Sequence, residues 1–157
     1  MPFNSFTFLL FFGVVLFVYY SGISWRMKKA FLLLASYGFY AAWNPPFVVL
    51  IWVSTVVDWF AAKGISRAGS RKEKYGFLVL SLLTNLGLLG FFKYGGFLLV
   101  NFIQAAGFFG VEYAPMPFDV ILPVGISFYT FQTLSYTIDI YRGQLRPSDS
   151  FLDFALF

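Results

Sequence analysis

The sequence predicts an all-α protein, a polytopic bundle of helices that cross a lipid bilayer, and three observations carry that expectation. Of the 157 residues, 59% are hydrophobic and 11% charged, where soluble domains carry about 25% charged residues. Polar residues gather between long apolar runs instead of alternating with them, which is the pattern of helices crossing lipid. The roughly ten-residue segments of alternating hydrophobicity that a membrane β-barrel needs are not visible. The chain also has no cysteine and no histidine. Disulfides and thiolate-held metals are thereby excluded, and the usual general base and commonest metal ligand are missing. No metal site is expected.

The first apolar run, FTFLLFFGVVLFVYY at 6–20 with its Asn4-Ser5 lead, is long enough to span if its flanks are counted. No Lys or Arg precedes it, so it lacks the basic lead of a signal peptide and reads as a retained helix with its N-terminus outside. The formal charge of +4 sits mainly in two short clusters, WRMKK at 25–29 and KGISRAGSRKEKY at 63–75. Placed in short loops, such clusters mark the cytoplasmic face; they predict contact with anionic lipid headgroups and no nucleic acid.

The run at 30–62 is too long for one simple span, and WNPP at 43–46 breaks it by removing two backbone donors. A hairpin of arms 31–43 and 47–62 returns both basic clusters to one face. Its first arm, at 1.5 Å per residue, reaches only about 20 Å against a hydrocarbon core of about 30 Å. Local bilayer thinning, or burial of the arm's end among other helices, would have to cover the difference. The run at 77–92 then leads outward, KYGG at 93–96 permits a kink or turn, and 97–111 returns. EYAPMPFD at 112–119 reads as a loop, as does GQLRPSDS at 143–150. The closing SFLDFALF opens a further apolar run, so residues 1–157 are expected to be the N-terminal transmembrane part of one larger domain, truncated at its C-terminal end.

Between these two loops lies PVGISFYTFQTLSYTIDIYRG at 123–143, apolar enough for lipid yet polar at almost every other position. On a helix, Phe131, Leu134, Ile138 and Tyr141 form one stripe. Gln132, Ser135, Tyr136 and Asp139, with Tyr129 one turn earlier, gather on another. Ser127, Thr130 and Thr137 lie elsewhere, so most of the circumference must meet protein or water, and the helix is expected inside the bundle. Asp139, three residues before Arg142, reads as an interfacial ion pair or cap. Asp58, preceded by Ser54 and Thr55 and followed five residues on by Lys63, reads as interfacial pairing. Asn85, beside Thr84 and one turn after Ser81, predicts an interhelical hydrogen bond, and Lys93 is placed to snorkel to headgroups. No nucleophile with a base, close carboxylate pair or phosphate-cradling glycine loop can be assembled, so no catalytic residue is expected in this chain.

The succession FNSFTFLLFF, ASYGFYAAWNPPF, STVVDW, NLGLLGFFKY, LPVGISFYTFQTLSYTIDIYRG and FLDFALF resembles the N-terminal part of the membrane-bound O-acyltransferases (MBOAT), closest to the bacterial alginate O-acetyltransferase branch. The resemblance runs in order over nearly all of the chain, and 122–143 is its most specific element. It implies a multi-pass enzyme of the cell inner membrane. Such an enzyme moves an acyl group from a cytoplasmic donor, acetyl-CoA or another, to hydroxyls of an exported polysaccharide such as alginate. It further implies a tunnel joining donor and acceptor, partnership with extracytoplasmic acetyltransferase proteins, and a hallmark histidine in a later part of the family sequence. On that basis this chain is not expected to be active alone or to hold a bound cofactor. The face of Tyr129, Gln132, Ser135, Tyr136 and Asp139 would line the tunnel or brace the catalytic region. A transporter or channel fragment, or a non-catalytic membrane scaffold, would use the same polar helix differently and stays as the alternative.

Overall fold

The computed structural model describes residues 5–110 and 120–157, and among these it is all α, with no strand. The helices are α1 (Phe6–Tyr20), α2 (Trp25–Ala41), α3 (Pro46–Arg67), α4 (Arg71–Leu89), α5 (Gly95–Phe108), α6 (Ile126–Tyr141) and the short α7 (Phe151–Ala155). A π-helical turn, Gly90–Tyr94, joins α4 to α5. The expected loop at 112–119 lies outside the described residues.

Several boundaries follow local chemistry that apolar runs do not reveal. WRMKK is not a loop: it forms the first turns of α2, because nothing in it disfavours helix and Ser24 supplies the extended residue before it. At 17 residues, α2 reaches about 26 Å, which removes most of the shortfall of the 31–43 arm. The WNPP break is as expected, with Pro46 at the first position of α3, where its missing N–H costs nothing. Beyond Ala62, α3 continues through Lys63 to Arg67. Ser70 then caps α4 through a reciprocal box, its hydroxyl accepting from the Glu73 N–H at 3.2 Å while the Glu73 carboxylate accepts from the Ser70 N–H at 3.4 Å.

The expected turn at KYGG is not there. Residues 71–108 form one continuous helix of 38 residues, about 57 Å long and so well beyond the roughly 30 Å of a hydrocarbon core. Gly95 keeps ordinary right-handed helical angles; paired glycines allow a turn but do not impose one, and no proline stands nearby to do so. The segment at 97–108 therefore does not return. It extends past the bundle, and α5 packs on no other helix of the described chain.

That correction reverses the direction of α6. The core is a three-helix contact of α3, α4 and α6, in which Ala62, Ile65, Leu78, Tyr136 and Ile140 pack together, joined by Phe154 of α7. The end of α6 thus lies beside the end of α3 and the start of α4. At the other end, Lys93 donates to the Ser127 hydroxyl at 3.2 Å and the Tyr40 hydroxyl to the Val124 carbonyl at 2.8 Å. Asp149 and Asp153, just beyond α6, pair with Lys63 (2.8 Å) and Lys29 respectively, and the Lys63 bond holds the exposed Asp149 carboxyl below its ordinary range. All of the eleven Lys and Arg except Lys93 therefore gather at one end of the bundle. Helices α3 and α4–α5 are long and apolar enough to cross a membrane, and the exposed faces of α1 and α5 are rich in Phe, Leu and Val: this is a membrane protein.

Candidate functional site

Three helices bring their polar residues to one point. Ser54, Thr55 and Asp58 share the inner face of α3 at helical spacing, as do Ser81 and Asn85 on α4 and Thr130, Thr133 and Thr137 on α6. Asp58 is completely buried, at 0% exposure, and Asn85 nearly so at 1%. Its carboxylate accepts from the Ser81 hydroxyl at 2.6 Å and from the Asn85 amide through both oxygens, at 2.8 and 2.9 Å. The Ser54 hydroxyl stands 3.4 Å from its second oxygen. Asn85 is held in turn, since its side-chain oxygen accepts from Ser54 at 2.6 Å and Thr133 at 3.3 Å, while its amide also donates to the Ser81 carbonyl at 3.0 Å.

Among the described residues no cation enters this network. The expected pairing of Asp58 with Lys63 does not occur, because five residues along a helix is about 140° around it. Lys63 turns outward to Asp149 while Asp58 faces α4. A carboxylate removed from water without a countercharge persists only where hydrogen bonds replace its hydration, and here neutral donors from two helices do so. The expected interhelical bonding of Asn85 is thus realised, with Asp58 as its partner.

Beside the network a cavity of about 90 Å³ opens among Ser54, Thr55, Tyr129, Gln132 and Thr133, closed on one side by Phe154. The Tyr129 hydroxyl is buried and has no hydrogen-bond partner among the described residues. The lining is mostly apolar, with Ile51, Ala155 and Phe157 beside Phe154, but its hydroxyl and amide groups and its size suffice to hold water. Chemically, the site can hold a hydroxyl-bearing group or solvent beside a rigid carboxylate–amide pair. It offers no nucleophile activated by a base, and among the described residues no group of three metal-ligating side chains.

The face expected on α6 is divided by the structure. Tyr129 and Gln132 reach the cavity, and the Gln132 amide bonds the Phe157 carbonyl. The Ser135 hydroxyl bonds back to the Gln132 carbonyl at 2.7 Å. Tyr136 points to the basic end, stacks on Phe154 with ring centroids 4.8 Å apart and accepts the Ser148 N–H at 2.8 Å. Asp139 contributes through its backbone: its carbonyl accepts from Gln144 at 2.8 Å, and Gly143, at φ +75°, bonds Ile140 at 3.0 Å. That is a helix-closing Schellman arrangement, and no ion pair joins Asp139 to Arg142. The deepest face of α6 is instead that of Thr130 and Thr137, at 1% and 0% exposure, with Thr133 between them. The spacing 130, 133, 137 was the available signal for it.

Over its whole length the chain is 38% identical to the protein named "Probable alginate O-acetylase AlgI" of Pseudomonas aeruginosa, and it spans about 30% of that relative's length. The same identity and whole-chain coverage hold against the protein of that name from Azotobacter vinelandii, 32% of which is spanned. A "Peptidoglycan O-acetyltransferase" of Helicobacter pylori is 39% identical over 116 residues, 73% of this chain and 21% of that protein. No family model matches the chain. No solved structure matches it either.

Proposed function

From the premise that this chain belongs to the alginate O-acetylase family, matching part of its relatives' length, we propose that it is part of a membrane O-acetyltransferase acting on hydroxyls of an exported polysaccharide. The identity of 38% along the entire chain to relatives named as alginate O-acetylases carries the reading. In it, the protein is an MBOAT-type multi-pass enzyme of the inner membrane, with the basic end of the bundle in the cytoplasm as the positive-inside rule directs. The donor is acetyl-CoA or another cytoplasmic acyl donor. Alginate is the favoured acceptor, and extracytoplasmic acetyltransferases are the expected partner proteins.

Transfer to an alcohol near neutral pH calls for a base whose pKa lies close to the operating pH. This chain has no histidine, so that role is assigned to the part of the relatives' length outside the match. The residues at hand supply scaffold. The Asp58–Asn85 network locks α3 to α4, and Tyr129 and Gln132 form a hydroxyl-compatible wall on which an acyl path can run.

The test is the acetyl content of secreted polymer in a strain deleted for the complete gene and complemented with variants. Deletion should abolish acetylation, whereas Gln132→Leu and Tyr136→Phe should lower it by modest factors. An unchanged acetyl level in the deletion, with no paralogue present, sinks the assignment.

A further inference from the structure

The geometry points to a binding site for one anionic phospholipid along α2, with the headgroup at Arg26 and an acyl chain in the crevice between α1 and α2. Arg26, Lys29, Leu32, Ser36 and Phe39 recur at spacings of three and four, so they form a single stripe of α2. Its basic end opens into a depression of about 710 Å³ between the start of α2 and α7, lined by Trp25, Arg26, Lys29 and Asp153. Its apolar end opens into a crevice of about 330 Å³ lined by Phe8, Phe12, Val15, Leu32, Ala35 and Phe39. Cation and crevice are therefore arranged along one helix as head and tail are along a lipid.

Charge complementarity decides the occupant. Lys29 is already neutralised by Asp153, but Arg26 has no ion pair among the described residues, and its planar fork suits a phosphate. Trp25, 58% exposed at the start of α2, is a ring of the kind that settles at headgroup level. A zwitterionic lipid would bring its own ammonium beside Arg26 and leave the net positive charge uncompensated, and a soluble phosphate would leave the crevice unused. The inference rests on the membrane placement of the chain and is independent of acyl transfer.

The protein is extracted from membranes containing phosphatidylethanolamine and phosphatidylglycerol into polymer-bounded nanodiscs, and the retained lipids are counted by mass spectrometry after stringent washing. Phosphatidylglycerol should be enriched over the bulk membrane. Arg26→Gln should cut that enrichment about fivefold, the factor one surface cation contributes toward anionic headgroups. Ala35→Trp, which fills the crevice and leaves every charge in place, should also reduce it. Lys72→Gln, an equal charge loss at the same end of the bundle, should not. Circular dichroism on each variant confirms retained helix. Equal loss in the Lys72 variant would reveal general surface charge, and release by inorganic phosphate a soluble-anion site. No effect of Ala35→Trp would mean that the crevice holds no chain or is covered by protein. Each of these outcomes overturns the proposal.

Discussion

Asp58 sets the energetics of the bundle interior, because a charge buried without its donors is far costlier than one buried with them. Replacing Asn85 by Leu removes two of the bonds that replace its hydration, and we expect a loss of at least about 2 kcal/mol. Asp58→Leu should cost less than that sum suggests, and the double variant Asp58→Leu/Asn85→Leu should be more stable than Asn85→Leu alone, since replacing both partners can be nearly neutral. Thermal unfolding in detergent, followed by circular dichroism, reads the cycle; a double variant less stable than either single one would show that the network stabilises beyond mutual satisfaction. At this scale the sequence was partly legible. Asn85 announced itself as a polar residue in mid-run, but Asp58 is four residues from a polar turn and five from a lysine, and distance along the chain does not say which neighbour lies on the same face of the bundle. Thr133, flanked by two more conspicuous residues, carried no charge or size to draw notice.

Among the elements, α3 and α4 are tightly apposed where Gly64 faces Phe77: a Cβ on Gly64 would stand 2.7 Å from the ring, inside any real carbon contact. Gly64→Ala should therefore force the ring or the helix aside and destabilise by about 1–3 kcal/mol. Adding Phe77→Ala should recover part of that loss, and failure to do so would locate the cost elsewhere than this crossing. The elements themselves were legible because their apolar runs are long and their caps local: Ser5, Ser70 and Ser150 each accept a backbone N–H at the start of a helix. What escaped was whether a permissive site is used. Gly95-Gly96 stays helical and the π turn before it inserts no break, whereas Gly143 does close α6 with positive φ. The difference is made by partners outside the segment. Tyr136 holds the chain after Gly143 at Ser148, and among the described residues nothing comparable bends the chain at Gly95.

For the whole molecule, the consequence of that unbroken helix is a single basic pole. If 97–111 returned through the membrane, α6 would run outward and carry Arg142 and Arg146 to the far side from Arg26, Lys63 and Arg71, against the positive-inside rule. With α4 continuing into α5, α6 runs back toward the basic end, and the ion pairs of Lys29 with Asp153 and Lys63 with Asp149 become possible. The chain has no cysteine, so single cysteines at Ser24, Ser70 and Gln144 report their side of the membrane without background. In intact cells an impermeant thiol reagent should label none of the three, and permeabilisation should expose all of them. Labelling at position 144 alone would restore the returning segment and reverse α6. Labelling at 24 but not 70 would show instead that the α2–α3 hairpin does not cross the bilayer, and the common basic pole would be lost.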